Sequence, residues 1–424
     1  MKLAKLTARE ILDSRGYPTI EVDVVLDDGA VGRAAVPSGK STGSKEALEL
    51  RDKDSPRFSG KGVLSAVSYV HHEIFTAIKD TNLSEQSIVD GKLVEIDGTP
   101  DKSRLGANAI LGVSMAIARA VANSQQIPLS SYLAMQFGYT PEYLPIPMMN
   151  VINGGAHADS GIDVQEFMIV PIHADSMRTA VRMAAEVYHS LSAVLVNAGQ
   201  RISVGDEGGF APRLANTEEV IKTLIEAIAH AGYKPGKDVA IALDPAANSF
   251  YKNGIYQFEG VKRSAQEMIQ YYMEMASRYP IVSIEDGLAE DDWQGWAEFT
   301  KVANSTGLQL VGDDIFVTNA AIFDRGVKEE VANAILIKPN QIGTITETIT
   351  TMQHAKIAGY KTVISHRSGE TTDTFISDLA LATNAGQMKS GAPARGERVA
   401  KYNQLMRLQD EFPNTKMTSG IYRL

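Results

Sequence analysis

Short apolar segments of this sequence end repeatedly in an ionisable side chain. Six of them, VAIALD, IVSIE, LQLVGD, AILIK, KTVISH and GQMK, end in Asp244, Glu285, Asp313, Lys338, His366 and Lys389. The intervals between these ends are 41, 28, 25, 28 and 23 residues. One strand, one helix and two loops need roughly 30 residues, so the spacing is typical of repeated β–α units. One or two charged ends would be ordinary solvated strand ends, whereas six in succession indicate a ring of functional groups.

Three carboxylates of this ring, Asp244, Glu285 and Asp313, follow one another on successive predicted strands. Carboxylates that point at one spot repel each other unless a cation lies between them. Oxygen ligands without His or Cys suit a hard divalent ion, and three carboxylates that leave room for water and substrate oxygens suit Mg²⁺. The alternative is that they pair with Lys or Arg side chains.

Lys338 ends an apolar strand and could act as a base. An ordinary lysine, with a pKa of about 10.4, is a poor base at neutral pH. A divalent cation, a second ammonium such as Lys389 and partial burial would all lower that pKa. Glu166 and Glu207, on the far side, could then serve as a general acid. The alternative for Lys338 is a stem packed on the core with its ammonium in solvent.

Three further segments could bind an anion or a metal. The HRS tripeptide places Arg367 and Ser368 after His366, and a guanidinium grips phosphate or carboxylate with two hydrogen bonds. The loop in VPSGKSTGSKEALELRD offers amides and hydroxyls that could close over a phosphate or a metal, or could be only a surface loop. His157 lies in a loop between candidate strands, where a histidine is more often structural or solvated.

Composition narrows the class of protein. The chain has 424 residues, 44% of them apolar, which is enough for about two domains. Its net charge of −10 argues against a general nucleic-acid binder, and the absence of cysteine excludes disulfides and thiolate chemistry. The sequence shows no secretory signal and no apolar run of roughly 20 residues. We therefore expect a cytoplasmic enzyme that binds neither nucleic acid nor membrane.

The pattern along the chain predicts two domains. Residues 18–37 alternate around the turn DDGA like a hairpin, and residues 65–80 and 108–124 read as amphipathic helices. We predict a small α+β domain over residues 1–135 and, after a proline-containing loop, a second domain over 140–424. There EFMIVP and RISVGDEGG join the six segments above as predicted strands. Eight strands alternating with helices predict an α/β fold with a closed, parallel (β/α)8-type barrel.

Ordered motifs along nearly the whole chain carry a resemblance to a known family. They are ILDSRGYPTIEVDV, VPSGKSTG, LGANAILGVSMA, NVINGGAHA, QEFMIVP, GDEGGFAP, SIEDGLAEDDW, VGDDIFVTN, LIKPNQIGT, SHRSGET and GAPARGERVAKYNQL. With these blocks the sequence resembles the enolases. The resemblance implies the enolase variant of the TIM barrel and a hydro-lyase of glycolysis and gluconeogenesis. It also implies reversible, Mg²⁺-dependent dehydration of 2-phospho-D-glycerate to phosphoenolpyruvate through an enediolate.

The resemblance also implies roles for individual residues. Asp244, Glu285 and Asp313 would hold the first Mg²⁺, and Ser41 would help to hold a second. Lys338 would remove the C2 proton, and Glu207, with Glu166 beside it, would protonate the departing C3 hydroxyl. Arg367 and Ser368, next to His366, would bind the phosphate and Lys389 the carboxylate, while Gln165 and His157 would line the pocket.

Partners and location follow from the resemblance in the same way. It implies at least a homodimer, with an octamer as an alternative, and a location in the cytoplasm, with cell-surface or secreted forms also known in the family. Binding of host proteins at a surface stays open. Two rival functions are a superfamily relative acting on another carboxylate, which would not need the phosphate-binding residues, and a non-enzymatic protein that kept the fold.

Four positions depart from the pattern expected for the family. Lys40 stands where a small residue is expected, in the loop that should close over the phosphate. Thr372 replaces an expected acidic residue after SGET, and Asn248 and Ser249 replace an expected Ser-Glu pair. None of these residues is assigned to the chemistry, so we expect them to affect loop motion rather than the reaction.

Overall fold

The computed structural model describes residues 1–53 and 56–422, so the last two residues of the predicted 140–424 domain lie outside the described part. Its N-terminal region is a three-stranded antiparallel sheet packed against helices. Its elements are β1 (Leu3–Leu12), β2 (Pro18–Leu26), β3 (Val31–Ala35), α1 (Leu64–Tyr69), α2 (Phe75–Ile78), α3 (Gln86–Asp97), α4 (Ala107–Ser124) and α5 (Leu129–Phe137). A π-helical turn, Val70–Ile74, joins α1 to α2. The predicted hairpin is confirmed, because β2 and β3 pair antiparallel.

Helix α4 covers the sheet at unusually short range. Alanine and glycine are frequent in it, and nearly all of its side chains are buried. Gly32 on β3 faces it so closely that a Cβ at this position would lie 2.0 Å from the Ala116 carbonyl oxygen. Small residues on both elements therefore allow the backbones to approach closely.

The second part of the chain contains a closed eight-stranded barrel, helices outside it and some short strands that are not part of the barrel. Its strands are β4 (Tyr143–Leu144), β5 (Ile146–Asn153), β6 (Glu166–Val170), β7 (Ala240–Asp244), β8 (Tyr251–Lys252), β9 (Ile255–Phe258), β10 (Val261–Arg263), β11 (Ile281–Glu285), β12 (Gln309–Gly312), β13 (Ala334–Ile337), β14 (Lys361–Ser365), β15 (Gly386–Lys389) and β16 (Lys416–Met417). Its helices are α6 (Met177–Asn197), α7 (Thr217–His230), α8 (Ala265–Arg278), α9 (Trp293–Thr306), α10 (Ala320–Lys328), α11 (Pro339–Ile342), α12 (Ile345–Ala358), α13 (Phe375–Thr383) and α14 (Gly396–Glu411). The predicted α/β fold with a barrel after a smaller α+β part is confirmed.

The sequence predicts a parallel barrel, but one of the eight strands is antiparallel to its neighbours. Around the barrel the order is β5-β6-β7-β11-β12-β13-β14-β15, and β6 pairs antiparallel with both β5 and β7. Glu166 is the first residue of β6, whereas Asp244 and Glu285 are the last residues of β7 and β11. Because β6 runs in the opposite direction, its first residue reaches the same mouth of the barrel as the last residues of its neighbours.

One predicted strand was wrong and one was missed. RISVGDEGG forms only isolated bridges, and its Ile202 and Val204 side chains are 45% and 47% exposed, so its apolar residues do not face a core. The first barrel strand is β5, which begins inside FGYTPEYLPIPMMN, the proline-containing segment for which the sequence predicts a loop. Pro147 lies in β5 beside Met388 of β15.

Apolar strands buried on both faces build the barrel. All side chains of β7, β11 and β13 are buried, as expected where helices cover the outside and side chains fill the inside. Local signals set the helix ends: Ser264 and Glu267 form a capping box at α8. Among the described residues, no helix is long and apolar enough to cross a membrane.

Candidate active site at the mouth of the barrel

The carboxyl ends of the parallel strands converge on one cavity. Side chains that line it are Ser41, His157, Gln165, Glu166, Glu207, Asp244, Asp286, Asp313, Asp314, Lys338, Ser365, His366, Arg367, Ser368 and Lys389. The structure thus brings together the predicted site residues, including Ser41 from the N-terminal region. Glu285 does not line the cavity itself, but it contacts Lys389, which does.

Lys389 lies among three carboxylates. Its Nζ is 2.9 Å from Asp244 Oδ2, 2.9 Å from Glu285 Oε1 and 3.2 Å from Glu166 Oε1. Burial lowers the pKa of Lys389, but these carboxylates more than offset it, and the pKa lies well above its ordinary value. Burial and the charge of Asp244 raise the pKa of Glu285.

Lys338 makes the second ammonium contact of the ring. Its Nζ is 2.5 Å from Asp313 Oδ2, and Gln341 Nε2 donates to Asp313 Oδ1 at 2.8 Å. Burial lowers the pKa of Lys338, but the charge of Asp313 more than offsets burial, so the pKa is above its ordinary value of 10.5. The predicted metal ligands Asp244, Glu285 and Asp313 thus pair with lysines in this structure. Such pairing is the alternative that the sequence left open.

The balance of charge nevertheless fits a cation at this mouth. Six carboxylates line the cavity, from Glu166, Glu207, Asp244, Asp286, Asp313 and Asp314, against three cationic groups from Lys338, Arg367 and Lys389. Two sets of residues each bring their ligand atoms within 4.8 Å of one another: His157, Glu166 and Glu207 form one set, and Asp286, Asp313 and Asp314 form the other. Glu285 Oε2 is buried without a hydrogen-bond partner in the described part of the chain. An excess of buried carboxylate oxygen is the donor set of a hard divalent ion.

Glu166 and Glu207 form a second acidic pair, with His157 beside them. His157 Nδ1 lies 3.8 Å from Glu166 Oε1 and 3.8 Å from Glu207 Oε1. Burial and the charge of Glu207 raise the pKa of Glu166 well above its usual value. Burial would raise the pKa of Glu207 too, but His366 and His157 hold it well below its usual value. The pKa values of the two carboxyls are therefore shifted in opposite directions.

Arg367 is held in place by the loop that carries Ser41. Glu46 accepts two hydrogen bonds from its guanidinium, at 2.9 and 3.1 Å, and the Ser41 carbonyl accepts a third at 3.4 Å. Gly39 lies so close that a Cβ there would be 2.0 Å from Arg367 Nη2. The loop thus needs glycine at position 39 to pack on this guanidinium.

Two of the departures from the family pattern, Lys40 and Asn248, make contacts beside the same cavity. Lys40 Nζ contacts Asp206 Oδ2 at 2.8 Å and so connects the loop of Ser41 to the residue before Glu207. Asn248 Nδ2 donates to Asp314 Oδ2 at 2.8 Å, one residue beyond Asp313. The Ser41 side chain is exposed at the rim.

Sequence reasoning missed several residues that position the site. Glu46 holds Arg367, Gln341 binds Asp313, and Asn150 Nδ2 donates to Glu207 Oε2 at 3.2 Å. Asp286 and Asp314 directly follow assigned ligands in the sequence, which was the available signal for them. Glu46 and Asn150 carried no such signal, because their partners are distant along the chain.

Comparison with known proteins shows the family. Residues 3–133 match the model described as Enolase, N-terminal domain, and residues 141–423 match Enolase, C-terminal TIM barrel domain. Over 414 residues the chain is 57% identical to a protein named Enolase from Acidothermus cellulolyticus, covering 98% of this chain and 95% of that one. The chain therefore belongs to the enolase family, with the activity of a hydro-lyase of glycolysis.

Proposed function

We propose that this cavity dehydrates 2-phospho-D-glycerate reversibly to phosphoenolpyruvate, with Lys338 as the base and Glu207 as the acid. The observation that carries the proposal is the position of both groups in one cavity, together with the acidic pair and two ammoniums. A C2 proton beside an anionic carboxylate is weakly acidic, because its loss leaves an enediolate with a second negative charge. The groups around the substrate must therefore supply positive charge where that charge develops.

Asp244, Glu285 and Asp313 would hold one Mg²⁺, and Ser41 would help to hold a second. The excess of carboxylates and the unpaired Glu285 Oε2 support this proposal. When bound, the ions supply positive charge to the substrate carboxylate as the C2 proton leaves.

Lys338 has to be neutral before it can accept a proton. Asp313 is the partner that raises its pKa, while burial lowers it. A Lys338 amine that no longer pairs with Asp313 would remain buried and would lose its proton more readily. Lys389, in the same ring, would then offer its ammonium to the substrate carboxylate.

Glu207 would deliver a proton to the departing C3 hydroxyl. Glu166, whose pKa is raised, is the member of the pair that takes up a proton more readily and could pass it to Glu207. Arg367 and Ser368, beside His366, would bind the phosphate, and Gln165 and His157 would line the remaining wall. For the whole protein we propose a homodimer in the cytoplasm, and sedimentation would distinguish a dimer from an octamer.

A chelation assay tests the proposal. Phosphoenolpyruvate absorbance is followed with 2-phosphoglycerate, first after chelation and then with added Mg²⁺. We expect no turnover after chelation, recovery with Mg²⁺, and inhibition at high Mg²⁺ if the second ion limits product release. Full turnover in excess chelator would refute the metal-dependent mechanism. Absence of turnover with Mg²⁺ present would instead favour a relative with another substrate or a non-enzymatic binding protein.

A further inference from the structure

Arg398 is a fully buried guanidinium that the proposed chemistry does not use. It lies in the first turn of α14 with 0% relative exposure. Its Nη1 donates to His366 Nδ1 at 2.6 Å and to the Arg367 carbonyl at 2.5 Å. Its Nη2 donates to the Ser368 carbonyl at 2.6 Å and to the Asp206 carbonyl at 3.0 Å. A buried charge is costly unless such partners compensate it, so these contacts determine where the side chain lies.

The contact with His366 selects one form of the imidazole. A guanidinium donates hydrogen bonds and cannot accept them, so Nδ1 of His366 must be the acceptor. The neutral ring then carries its proton on Nε2. That atom lies 3.3 Å from Glu207 Oε2 and, within the described residues, has no formed hydrogen bond. The imidazole therefore presents an N–H to the carboxyl group of the proposed acid.

The other contacts of Arg398 hold the backbone on both sides of that imidazole. Asp206 immediately precedes Glu207, and Arg367 and Ser368 immediately follow His366. One guanidinium thus joins the loop of the acid to the loop of the phosphate-binding residues. Asn150 Nδ2 donates a hydrogen bond to the same oxygen, Glu207 Oε2, at 3.2 Å.

We propose that Arg398 is a positioning residue for the acid half of the reaction, which acts by keeping the His366 N–H directed at Glu207. This inference rests on the proposed role of Glu207 as the acid. A positioning role can be distinguished from a purely structural role of Arg398, because loss of a structural charge would slow both proton transfers alike. Removal of C2 hydrogen by Lys338 does not involve His366 or Glu207, so that half should proceed without Arg398 when 2-phosphoglycerate is saturating, which offsets weaker phosphate binding by Arg367 and Ser368.

The test compares Arg398→Lys and Arg398→Met in the full-length protein with Mg²⁺. Two rates are measured on 2-phosphoglycerate in D₂O: NMR loss of the C2 proton signal and formation of phosphoenolpyruvate. Partners that orient a functional histidine are typically worth roughly 10–100-fold, so we expect dehydration to fall by that factor while exchange is retained. Lysine keeps the charge but lacks the fork that reaches both His366 and Asp206, and should not restore the rate.

Lys401→Met is the matched control. Lys401 lies on the same helix, is 1% exposed, and contacts Glu370 and the Thr371 carbonyl but neither His366 nor Asp206. Its loss should destabilise the fold without changing the ratio of exchange to dehydration. Long-range ¹H–¹⁵N NMR of His366 provides a readout apart from activity, and we expect the Nε2-protonated form in the unsubstituted protein and a mixture in Arg398→Met.

The outcomes separate this inference from the proposed function. Equal losses of exchange and dehydration in both Arg398 variants, or an unchanged His366 spectrum, would overturn the positioning role. If either variant fails to fold, the spectrum of His366 in the unsubstituted protein decides, because an Nδ1-protonated ring would contradict the geometry. Dehydration that survives in Glu207→Gln would instead refute Glu207 as the acid.

Discussion

Lys338 ends a buried strand because its amine is part of the cavity and not of the surface. Its side chain is 12% exposed, and its Nζ contacts Asp313. A lysine packed by its stem with its ammonium in solvent would show neither feature. The same ring contains Lys389, which contacts three carboxylates and has the more strongly raised pKa. Two lysines in one ring therefore meet different surroundings, which supports the proposal of a base and a substrate-binding ammonium.

Substitution of the proposed base and acid should separate the two proton transfers. Glu207→Gln keeps the size of the side chain but cannot deliver a proton, so we expect loss of dehydration with continued exchange of the C2 hydrogen. Lys338→Ala should lose both activities, because no other group is assigned to that proton. Each rate should fall by roughly 10²–10⁴-fold or more, since general acid–base groups typically contribute that factor. NMR in D₂O and phosphoenolpyruvate absorbance measure the two rates.

Lys252→Ala, at an exposed lysine of β8, is the control for this pair and should behave like the unsubstituted protein. Exchange that survives in Lys338→Ala but disappears in Glu207→Gln would reverse the assignment of base and acid.

The sequence predicted the members of the ring but not their partners. Residue type and spacing were enough to place Asp244, Glu285 and Lys338 at strand ends, since the period of a β–α unit brings such positions to one mouth. Glu46 is separated from Arg367 by 321 residues, and Arg398 from His366 by 32. Those pairs depend on how loops from different parts of the chain pack together, which no local pattern records.

At the scale of elements, the barrel was predicted from apolar segments and its one reversed strand was not. A buried strand reads the same in either direction, so EFMIVP gave no sign that β6 is antiparallel. RISVGDEGG alternates like a strand, but its apolar side chains are exposed. The proline residues before Met148 favoured a loop, although Pro147 lies within β5. Burial and pairing, which are tertiary properties, decided all three cases.

The loop of Ser41 should respond to the loss of its contact with the acid loop. Lys40→Ala removes the ion pair with Asp206, and Lys40 is not assigned to the metal. We expect Mg²⁺ affinity to stay nearly unchanged. The KM for 2-phosphoglycerate should rise by roughly two- to fivefold, the range for loss of an exposed ion pair. Calorimetric titration with Mg²⁺ and steady-state kinetics measure the two quantities.

Lys45→Ala is the control for the loop, because Lys45 is a lysine of the same loop that pairs with Asp291 instead. It should leave the Mg²⁺ affinity unchanged and raise the KM by less than Lys40→Ala does. Loss of Mg²⁺ binding in Lys40→Ala would show that the roles assigned within this loop are wrong.

At the scale of the whole molecule, the site is complete only where the N-terminal region meets the barrel. Ser38 and Gly369 form a short antiparallel bridge, with N–O distances of 2.7 and 2.8 Å. Arg119 on α4 makes two hydrogen bonds to Asp373, at 2.6 and 2.8 Å. Asp373 also accepts from the Ala35 amide at 3.0 Å. The barrel loop that contains Arg367 thus continues directly into the contact with the N-terminal region.

Breaking that contact should lower stability in a pH-dependent manner. Asp373→Asn keeps the shape but leaves Arg119 without its carboxylate, and removing one partner of a buried pair costs about 3 kcal/mol. Burial would raise the pKa of Asp373, but Arg119 holds it below its ordinary value of 3.8. The contribution of Asp373 is therefore fully present above about pH 3.8 and is lost as pH falls through the lowered pKa. Denaturant unfolding at pH 7 should show the difference in stability between the two proteins, and the difference should shrink in acid.

Arg178→Met, which breaks an exposed pair with Asp410, is the control and should leave the unfolding midpoint nearly unchanged. Equal stability of Asp373→Asn and the unsubstituted protein at pH 7 would mean that other contacts hold the N-terminal region on the barrel.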